Sequence, residues 1–509
     1  MRVLTVVTEA PPIRSGISKV AGKITDGLRD LGHSVDVVTS VDVGRRHFGE
    51  VRVTAMAPHW KRLRAEFAGY DVVNLHGPAP TFSDVFLALW RTIPRSQRPG
   101  LVYTHHSDIH LQGVTPLCDV YNWMHSRLTR AASHVVVSTP SYEQKVRLGG
   151  ARRVAVVPFG IETGDAPLDD APPRNQQFTV AFIGQLRPYK GVDVLLRAAS
   201  SLPDVRFEIA GSGHQQAALH QMAAELRLDN VVFHGSVSDD ERNAILARSH
   251  VICLPSLTRA EAFGIVLLEG MRAGCVPVAS DLPGVLDVAG ESGLLARTGD
   301  PRSLVEAIAH LRDHPAEWRH RSIWSRQVAA RHVWDDHTLR YNQILSESAL
   351  HRHLRHAVAP SLDRAMSFVR EGLIADRASL MLLEPSVEQL RLVAVSGRSL
   401  PAEAFVSPAM RRGYAGQALT AGEPVHLTAA QMDPRIADRR RSVRAALLVP
   451  FDAHRGMARG VINLSRADDR DFSDLEIRMA MDWVPMLASR TLDPRAIELP
   501  LAPLVSAAA

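Results

Sequence analysis

Short runs of nearly uninterrupted β-branched and apolar residues recur along the first part of the chain. They are RVLTVVTE (2–9), SVDVVTS (34–40), DVVNLH (71–76), LVYTHH (101–106), HVVVST (134–139) and RVAVVPFG (153–160). Between several of them lie stretches of amphipathic helical pattern, such as ISKVAGKITDGLRDLG (17–32). A strand without polar alternation is buried on both faces, and the intervening helices do the covering, so the pattern predicts a mostly parallel sheet. A polar, turn-rich segment, ETGDAPLDDAPPRNQQ (162–177), interrupts this rhythm, and the rhythm then restarts. Its second set of strands is FTVAFIG (178–184), VRFEIAG (205–211), VVFHG (231–235), VICLPS (251–256) and CVPVAS (275–280), with helices at 191–201, 214–227 and 238–248. The expected fold class is therefore α/β, with two doubly wound, Rossmann-like units over 1–172 and 173–350 facing one another across a cleft. The last helical stretch of this half, 316–350, is long enough to cross back toward the first unit.

From about residue 361 the grammar changes. A helix-like SLDRAMSFVREGLI precedes more alternating strands at 378–385, 390–397, 424–428, 445–452 and 458–466, with hairpin-like EPSVEQ and DAHRGM between them. The helix pattern FSDLEIRMAMDWVPMLASRTL (472–492) closes the unit. Residues 361–492 thus predict an α+β domain with an antiparallel sheet and helices on one side, followed by a flexible tail, 493–509. A chain of 509 residues has room for these three units.

Composition removes several alternatives. A net charge of +5 is small for this length and argues against a dedicated nucleic-acid binder. Cys118, Cys253 and Cys275 are too scattered for a disulfide framework and form no CxxC, so neither staples nor a Cys-rich zinc site is expected. No metal-ligand spacing is visible. There is no run of 18 apolar residues and no signal peptide, which predicts a cytoplasmic protein and leaves a peripheral contact at the inner face of the membrane open. The 59 basic residues include only five lysines, at 19, 23, 61, 145 and 190, few enough to weigh one by one.

The richest stretch for chemistry is CLPSLTRAEAFGIVLLEGMRAGCVPVASDLPG (253–284). A strand ends at Pro255–Ser256, a loop holds Glu261, and the turn at Phe263–Gly264 opens a helix containing Glu269. The amides beside Ile265 and Val266 would offer a helix-start site to a diphosphate. Carboxylates eight residues apart could hold vicinal hydroxyls of a sugar and of a ribose. On spacing alone, two solvated glutamates explain the same text equally well.

Its wider context makes the sequence resemble retaining glycosyltransferases of family 4, which have the GT-B fold. Their EAFG-x4-E element stands here as Glu261-Ala-Phe263-Gly264…Glu269, followed by Arg272-Ala-Gly274-Cys-Val-Pro277-Val. The resemblance covers about 1–345. It implies that Glu261 contacts the transferred sugar, Glu269 the nucleotide ribose, and the amides of Phe263, Gly264, Ile265 and Val266 the diphosphate. It also implies metal-independent transfer of a hexose from a GDP- or UDP-hexose, GDP-mannose or UDP-glucose, to a glycan, lipid-linked or small-molecule acceptor. The family's G-R-L-x3-KG reads GQLRPYKG here, with Lys190 in place, Gln185 at the usual arginine and Arg187 two residues later. Cations fixed here would stabilise the charge that grows on the leaving phosphate oxygen, and Arg187 shares a face with Gln185 if the chain is extended.

Four further positions complete the expected site. Gly211-Ser-Gly213 ends a strand in a tight turn beneath the diphosphate. His234–Gly235 resembles the segment whose backbone meets the base. Gly16 precedes a helix beside donor phosphate and acceptor. In TyrThrHisHisSerAspIle (103–109), the family's T-x-H-S-D selects His106 as the active-site histidine and leaves Asp108 to order the loop. His106 would hold the sugar's primary hydroxyl or support charge at the anomeric carbon, and it is not expected to act as a general base.

Residues 361–492 resemble a GAF domain in LMLLEPSVEQLRLVAVSG, RRGYAGQALTAGEPVHL, SVRAALLVPF and GVINLSRADDRDFSDLEIRMAMDW. The resemblance implies an unidentified small-molecule effector, homodimerisation, or both. His426 reads as ordinary structure and 435–444 as a solvated basic face. Leu475, Met479, Trp483 and Leu487 form an apolar stripe on the last helix that would pack on its own sheet or pair with a second copy. Two other readings compete with this one. Pyridoxal-phosphate phosphorolysis would need Lys190, which is already placed in the KG motif. A GAF sensor whose transferase-like half binds a nucleotide sugar without efficient turnover is kept open by Gln185.

Overall fold

A computed structural model describes residues 1–13, 15–48, 51–54, 56–110, 115–148, 150, 153–162, 174–356, 361–384, 389–397, 406–407, 413–428, 431, 443–454 and 458–492. Residues 163–173 of the linker 162–177, the basic run 435–442, the hairpin tips expected at EPSVEQ and DAHRGM, and the tail from 493 lie outside these residues.

The β-branched runs form two six-stranded sheets. The first has the order Ser34–Thr39, Arg2–Val7, Val72–Gly77, Gly100–His105, His134–Val137, Val154–Val156, and its pairings are parallel. The second has the order Val231–Gly235, Arg206–Ala210, Thr179–Ile183, Val251–Leu254, Val276–Ser280, Leu294–Ala296, again parallel. In each sheet the chain begins in the interior, fills one edge and then jumps to the other side. The crevice opened by that reversal lies at the carboxyl ends of the strands, where open α/β sheets take their ligands. In the second sheet the two strands at the reversal are Thr179–Ile183 and Val251–Leu254, and the loops that leave them carry Lys190 and Glu261.

The long helical stretch is broken in two, Pro315–Ala330 and Trp334–His356. The break has a tertiary cause. Val333 makes a parallel bridge with Ile161, and the backbone at Gly160 comes so close to Trp334 that a side chain there would collide with it. Trp334–His356 then crosses to pack on helix Gly16–Asp30 and on the strands Val72–Gly77 and Gly100–His105 of the first sheet.

The third sheet is antiparallel, in the order Val406–Ser407, Gln389–Gly397, Arg377–Glu384, Ala458–Arg466, Ala445–Ala453, Val425–Leu427. Helices Leu362–Gly372 and Asp474–Thr491 pack together on it. Of the expected stripe, Trp483 and Leu487 are buried, Met479 packs against the core and Leu475 is exposed. Gly372 leaves room for the Trp483 ring, so the stripe is largely used within the unit. This unit is more than a tethered appendage. Leu362–Gly372 also packs along Trp334–His356, and one apolar core runs through Leu345, Leu350 and Leu354 into Met366, Val369 and Trp483. Polar contacts border it: Asn342 Nδ2 donates to the Glu371 carbonyl at 2.8 Å, and Arg364 pairs with Asp71.

Candidate active site

The loop after strand Thr179–Ile183 is anchored before it presents any side chain. Gly191, at φ 66°, lies against the Pro255 carbonyl, where an added Cβ would come within 2.0 Å, and the Leu257 amide donates to the Tyr189 carbonyl at 2.7 Å. These backbone contacts bind the loop to the exit of the neighbouring strand and bring Lys190 to Glu261, whose carboxylate accepts from the lysine ammonium and, at 3.4 Å, from Ser256 Oγ. Burial opposes the lysine's charge, but the Glu261 carboxylate outweighs it and holds the Lys190 pKa above its ordinary value. Tyr189 adds its ring face, 5.3 Å from the ammonium.

Gln185 and Arg187 are exposed while Leu186 between them is buried. The Arg187 amide donates to the Gln185 carbonyl at 2.9 Å, so a tight turn at Leu186 and not an extended segment places the two side chains. Arg187 is also one of the charges felt by Lys190. The glycines of the GSG turn have a packing reason of their own. A Cβ on Gly211, at φ 145°, would lie 1.8 Å from the Gly184 carbonyl oxygen, and one on Gly213 would lie 2.4 Å from that of Leu186. The glycines let one loop seat on the other, with the Leu186 amide donating to the Ser212 carbonyl at 2.9 Å.

Gly264 at φ 78° turns the chain into helix Ile265–Arg272, which has no side-chain cap. Its first amides, at Ile265 and Val266, follow Glu261 by four and five residues and stand at the positive end of the helix. One turn further, Glu269 accepts from Lys19, a residue of the first unit, and lies 3.8 Å from Arg242 Nε. Gly16 begins the helix that carries Lys19; its amide end is capped by Ser15 Oγ, which accepts from Ser18 N at 3.1 Å, and a Cβ on Gly16 would meet nothing within 4 Å. Lys23 of the same helix pairs with Glu162 at 2.5 Å. Of these lysine pairs, Lys19–Glu269 joins the two units, while Lys23–Glu162 lies within the first and Lys190–Glu261 within the second. Lys19 and Arg242 were not singled out from the sequence. The signal for Lys19 was its rarity and its place one turn after Gly16.

His234 stands at a bulge and turns its ring to Glu208, 3.3 Å away, so its side chain is engaged within the sheet and Gly235 supplies backbone at the strand end. Burial would raise the Glu208 pKa, but Arg248 and Arg206 bond it and bring it below the ordinary carboxylate value.

The paired histidines diverge. His106 is 8% exposed, and its Nε2 lies 2.8 Å from His76 Nδ1. The network continues through Asn74, 2.9 Å from His76 Nε2, to Tyr341 on the crossing helix, whose hydroxyl donates to Asn74 Oδ1 at 3.2 Å. Burial, with the neighbouring His105 and His337, lowers the His106 pKa to about 3, so the ring is neutral. Its neighbour His105 faces the other way, 3.6 Å from Asp108 and 5.6 Å from the Tyr142 ring. Tyr142 donates to the Arg259 carbonyl at 2.7 Å, which ties the first unit to the loop of Glu261. Phe159 links the two sides, packed 6.1 Å from His106 and 4.9 Å from Phe263.

Two facing doubly wound units with cationic and acidic side chains at a switch point define a GT-B fold. The family model described as Glycosyltransferase Family 4 matches residues 14–165, that for Glycosyl transferases group 1 matches 168–328, and that for the GAF domain matches 359–488. The chain is 32% identical over 270 residues to the D-rhamnosyltransferase WbpZ of Pseudomonas aeruginosa, covering 51% of this chain and 68% of that protein. It is 30% identical over 339 residues to the O-antigen chain mannosyltransferase C of Escherichia coli, covering 61% and 88%. Among solved structures, sucrose-phosphate synthase from Thermosynechococcus elongatus superposes with a TM-score of 0.56 at 18% identity, over 68% of this chain and 99% of that one. Anabaena HepE in complex with UDP-glucose gives 0.53 at 19%, over 68% and 100%. The chain belongs to the GT-B glycosyltransferases of family 4 and carries a C-terminal GAF domain.

Proposed function

We propose that the protein is a retaining hexosyltransferase that moves a hexose from a nucleoside-diphosphate sugar to a glycan, lipid-linked or small-molecule acceptor. The observation that carries this reading is the Lys190–Glu261 pair at the switch point of the second sheet, directly before the uncapped helix start at Ile265. The diphosphate lies on the amides of Ile265 and Val266, between Lys190 and Arg187. Its arrival gives Lys190 a second anion, and Glu261 turns to the hydroxyls of the sugar. Glu269 exchanges Lys19 for the ribose hydroxyls. As the bond from the anomeric carbon to the phosphate oxygen breaks, charge grows on that oxygen where Lys190, with its raised pKa, remains an ammonium. The acceptor hydroxyl attacks from the face the phosphate leaves, its proton passes to the departing phosphate oxygen, and the anomeric configuration is retained. His106, neutral and held by His76, offers a hydrogen bond to the sugar and no charge.

The relatives named above are a rhamnosyl- and a mannosyltransferase, which supports GDP-mannose as the first donor to try and UDP-glucose as the second. The GAF unit is assigned to regulation, through an effector or through homodimerisation, and its packing on the crossing helix gives it a direct contact with the transferase half. Incubation with each donor, with nucleotide release followed and the product's anomeric centre read by NMR, tests the reading. Retention is expected, and inversion overturns the mechanism. Gln185 favours the second reading, a sensor; tight donor binding without turnover on any acceptor would establish it.

A further inference from the structure

Helix Thr115–Leu128 buries Cys118 and His125. Its Asn122 clamps the segment that follows His106, donating to the Ile109 carbonyl at 2.9 Å and accepting from the Ile109 amide at 3.0 Å. Its opposite face is also apolar. Leu117, Val120, Trp123 and Met124 are 70%, 63%, 57% and 43% exposed. At about 100° per residue, these four fall within roughly a third of the helix circumference. Single exposed apolar side chains are ordinary, whereas a row on one helix marks a contact surface.

The row ends in a basic cluster. Arg127 lies over the Trp123 ring at 4.3 Å. Arg91 donates to the Arg127 carbonyl at 3.0 Å, and Arg98 donates to the Arg91 carbonyl at 2.9 Å. Burial, then the charges of Arg95 and Arg91, lower the Arg98 pKa. Arg91 and Arg98 donate to main-chain carbonyls, and none of the ion pairs among the described residues includes Arg91, Arg98 or Arg127.

We propose that this face seats the protein on an anionic bilayer, with helix Thr115–Leu128 in the headgroup plane. Leu117, Val120, Trp123 and Met124 enter the acyl boundary, and Arg91 and Arg127 meet lipid phosphates. Each feature has the required chemistry: an apolar row on a surface helix, a tryptophan at interface depth, and long cationic side chains that reach outward over apolar surface. Charge favours a bilayer over a second copy of the chain, which would bring a second arginine cluster; anionic headgroups neutralise the first. The helix is clamped to the segment leaving His106, so a membrane-held acceptor would enter beside that segment. This last step rests on the transferase reading, and the bilayer contact does not.

Flotation of the full chain with phosphatidylcholine vesicles, with and without phosphatidylglycerol, tests the proposal. The protein should float with the anionic vesicles, less so at high salt. R91Q/R127Q and L117S/W123S should each weaken binding about tenfold or more. These side chains are exposed, so both variants should keep the wild-type melting temperature and the donor turnover measured in solution. Wild type that stays with the soluble fractions, or an L117S/W123S variant that floats equally well, overturns it. So does light scattering that shows a wild-type dimer, dissociated by L117S/W123S, without flotation, because the face is then a self-contact. Loss of donor turnover in every form, with flotation intact, would count against the transferase reading alone.

Discussion

At the residue scale, the donor side is built from charges that already have partners. Glu261 holds Lys190, and Glu269 holds Lys19. Lys19 is part exposed, so its pair contributes little stability and is easily exchanged. Lys190–Glu261 is nearly buried, so on the proposed reading the diphosphate must take the carboxylate's place beside the ammonium as Glu261 turns away. Arg187 is exposed two residues after Gln185, and on the proposed reading it stands in for the arginine that Gln185 replaces. R187A should therefore lower kcat/KM for the donor about tenfold, the low end of a charge-assisted phosphate contact of about 1.5–3 kcal/mol. A Q185R/R187A variant should recover most of that loss; steady-state kinetics with the best donor reads both. What the sequence could not show here was pairing across distance. Lys19 and Glu269 are far apart in the chain and meet only because two sheets face each other. The division of labour between His105 and His106 depends on which ring meets His76, a contact made between separate strands.

At the scale of elements, β-branched runs located nearly every strand of the two parallel sheets, because continuous apolarity has few other soluble uses. Leu294–Ala296 escaped notice because three residues make no pattern. The break before Trp334 escaped because its cause is Ile161, in another part of the chain. The GSG turn was visible as a glycine motif, but its reason, the close seat on Gly184–Leu186, is a packing fact. G211A should cost about 1–3 kcal/mol from backbone conformation alone, with more from collision with the Gly184 carbonyl; urea unfolding measures it. In the GAF unit, Arg466 is buried, with NH2 donating to Glu476 Oε1 at 2.5 Å and to the Leu373 carbonyl at 2.6 Å. Glu476 also closes the capping box with Ser473 at the start of the last helix. R466A leaves that carboxylate buried without its cation and should destabilise the unit by about 3–5 kcal/mol in calorimetry.

At the scale of the whole molecule, the crossing helix Trp334–His356 ties the two sheets and the GAF unit into one core, and buried histidines set the acid limit of the fold. His106, His125 and His337 are lowered to about 3, 3 and 4, each chiefly by burial. An unfolded histidine titrates near 6.5, so between about pH 6.5 and pH 4 the unfolded chain binds protons that the native protein does not. Stability is therefore full above about pH 6.5 and falls as the pH drops. Three such groups give a slope approaching about 4 kcal/mol per pH unit near pH 5. Melting temperatures across this range should fall steeply below pH 6, with little change between pH 7 and 8.

The central claim is that the Lys190–Glu261 pair is the donor-handling centre, and nucleotide release from GDP-mannose and UDP-glucose in wild type, K190A and E261Q tests it most directly. With melting temperatures near wild type, each variant should lose about 2–5 kcal/mol of transition-state stabilisation, tens- to thousands-fold in rate. Either variant turning over its donor at close to the wild-type rate would contradict the account.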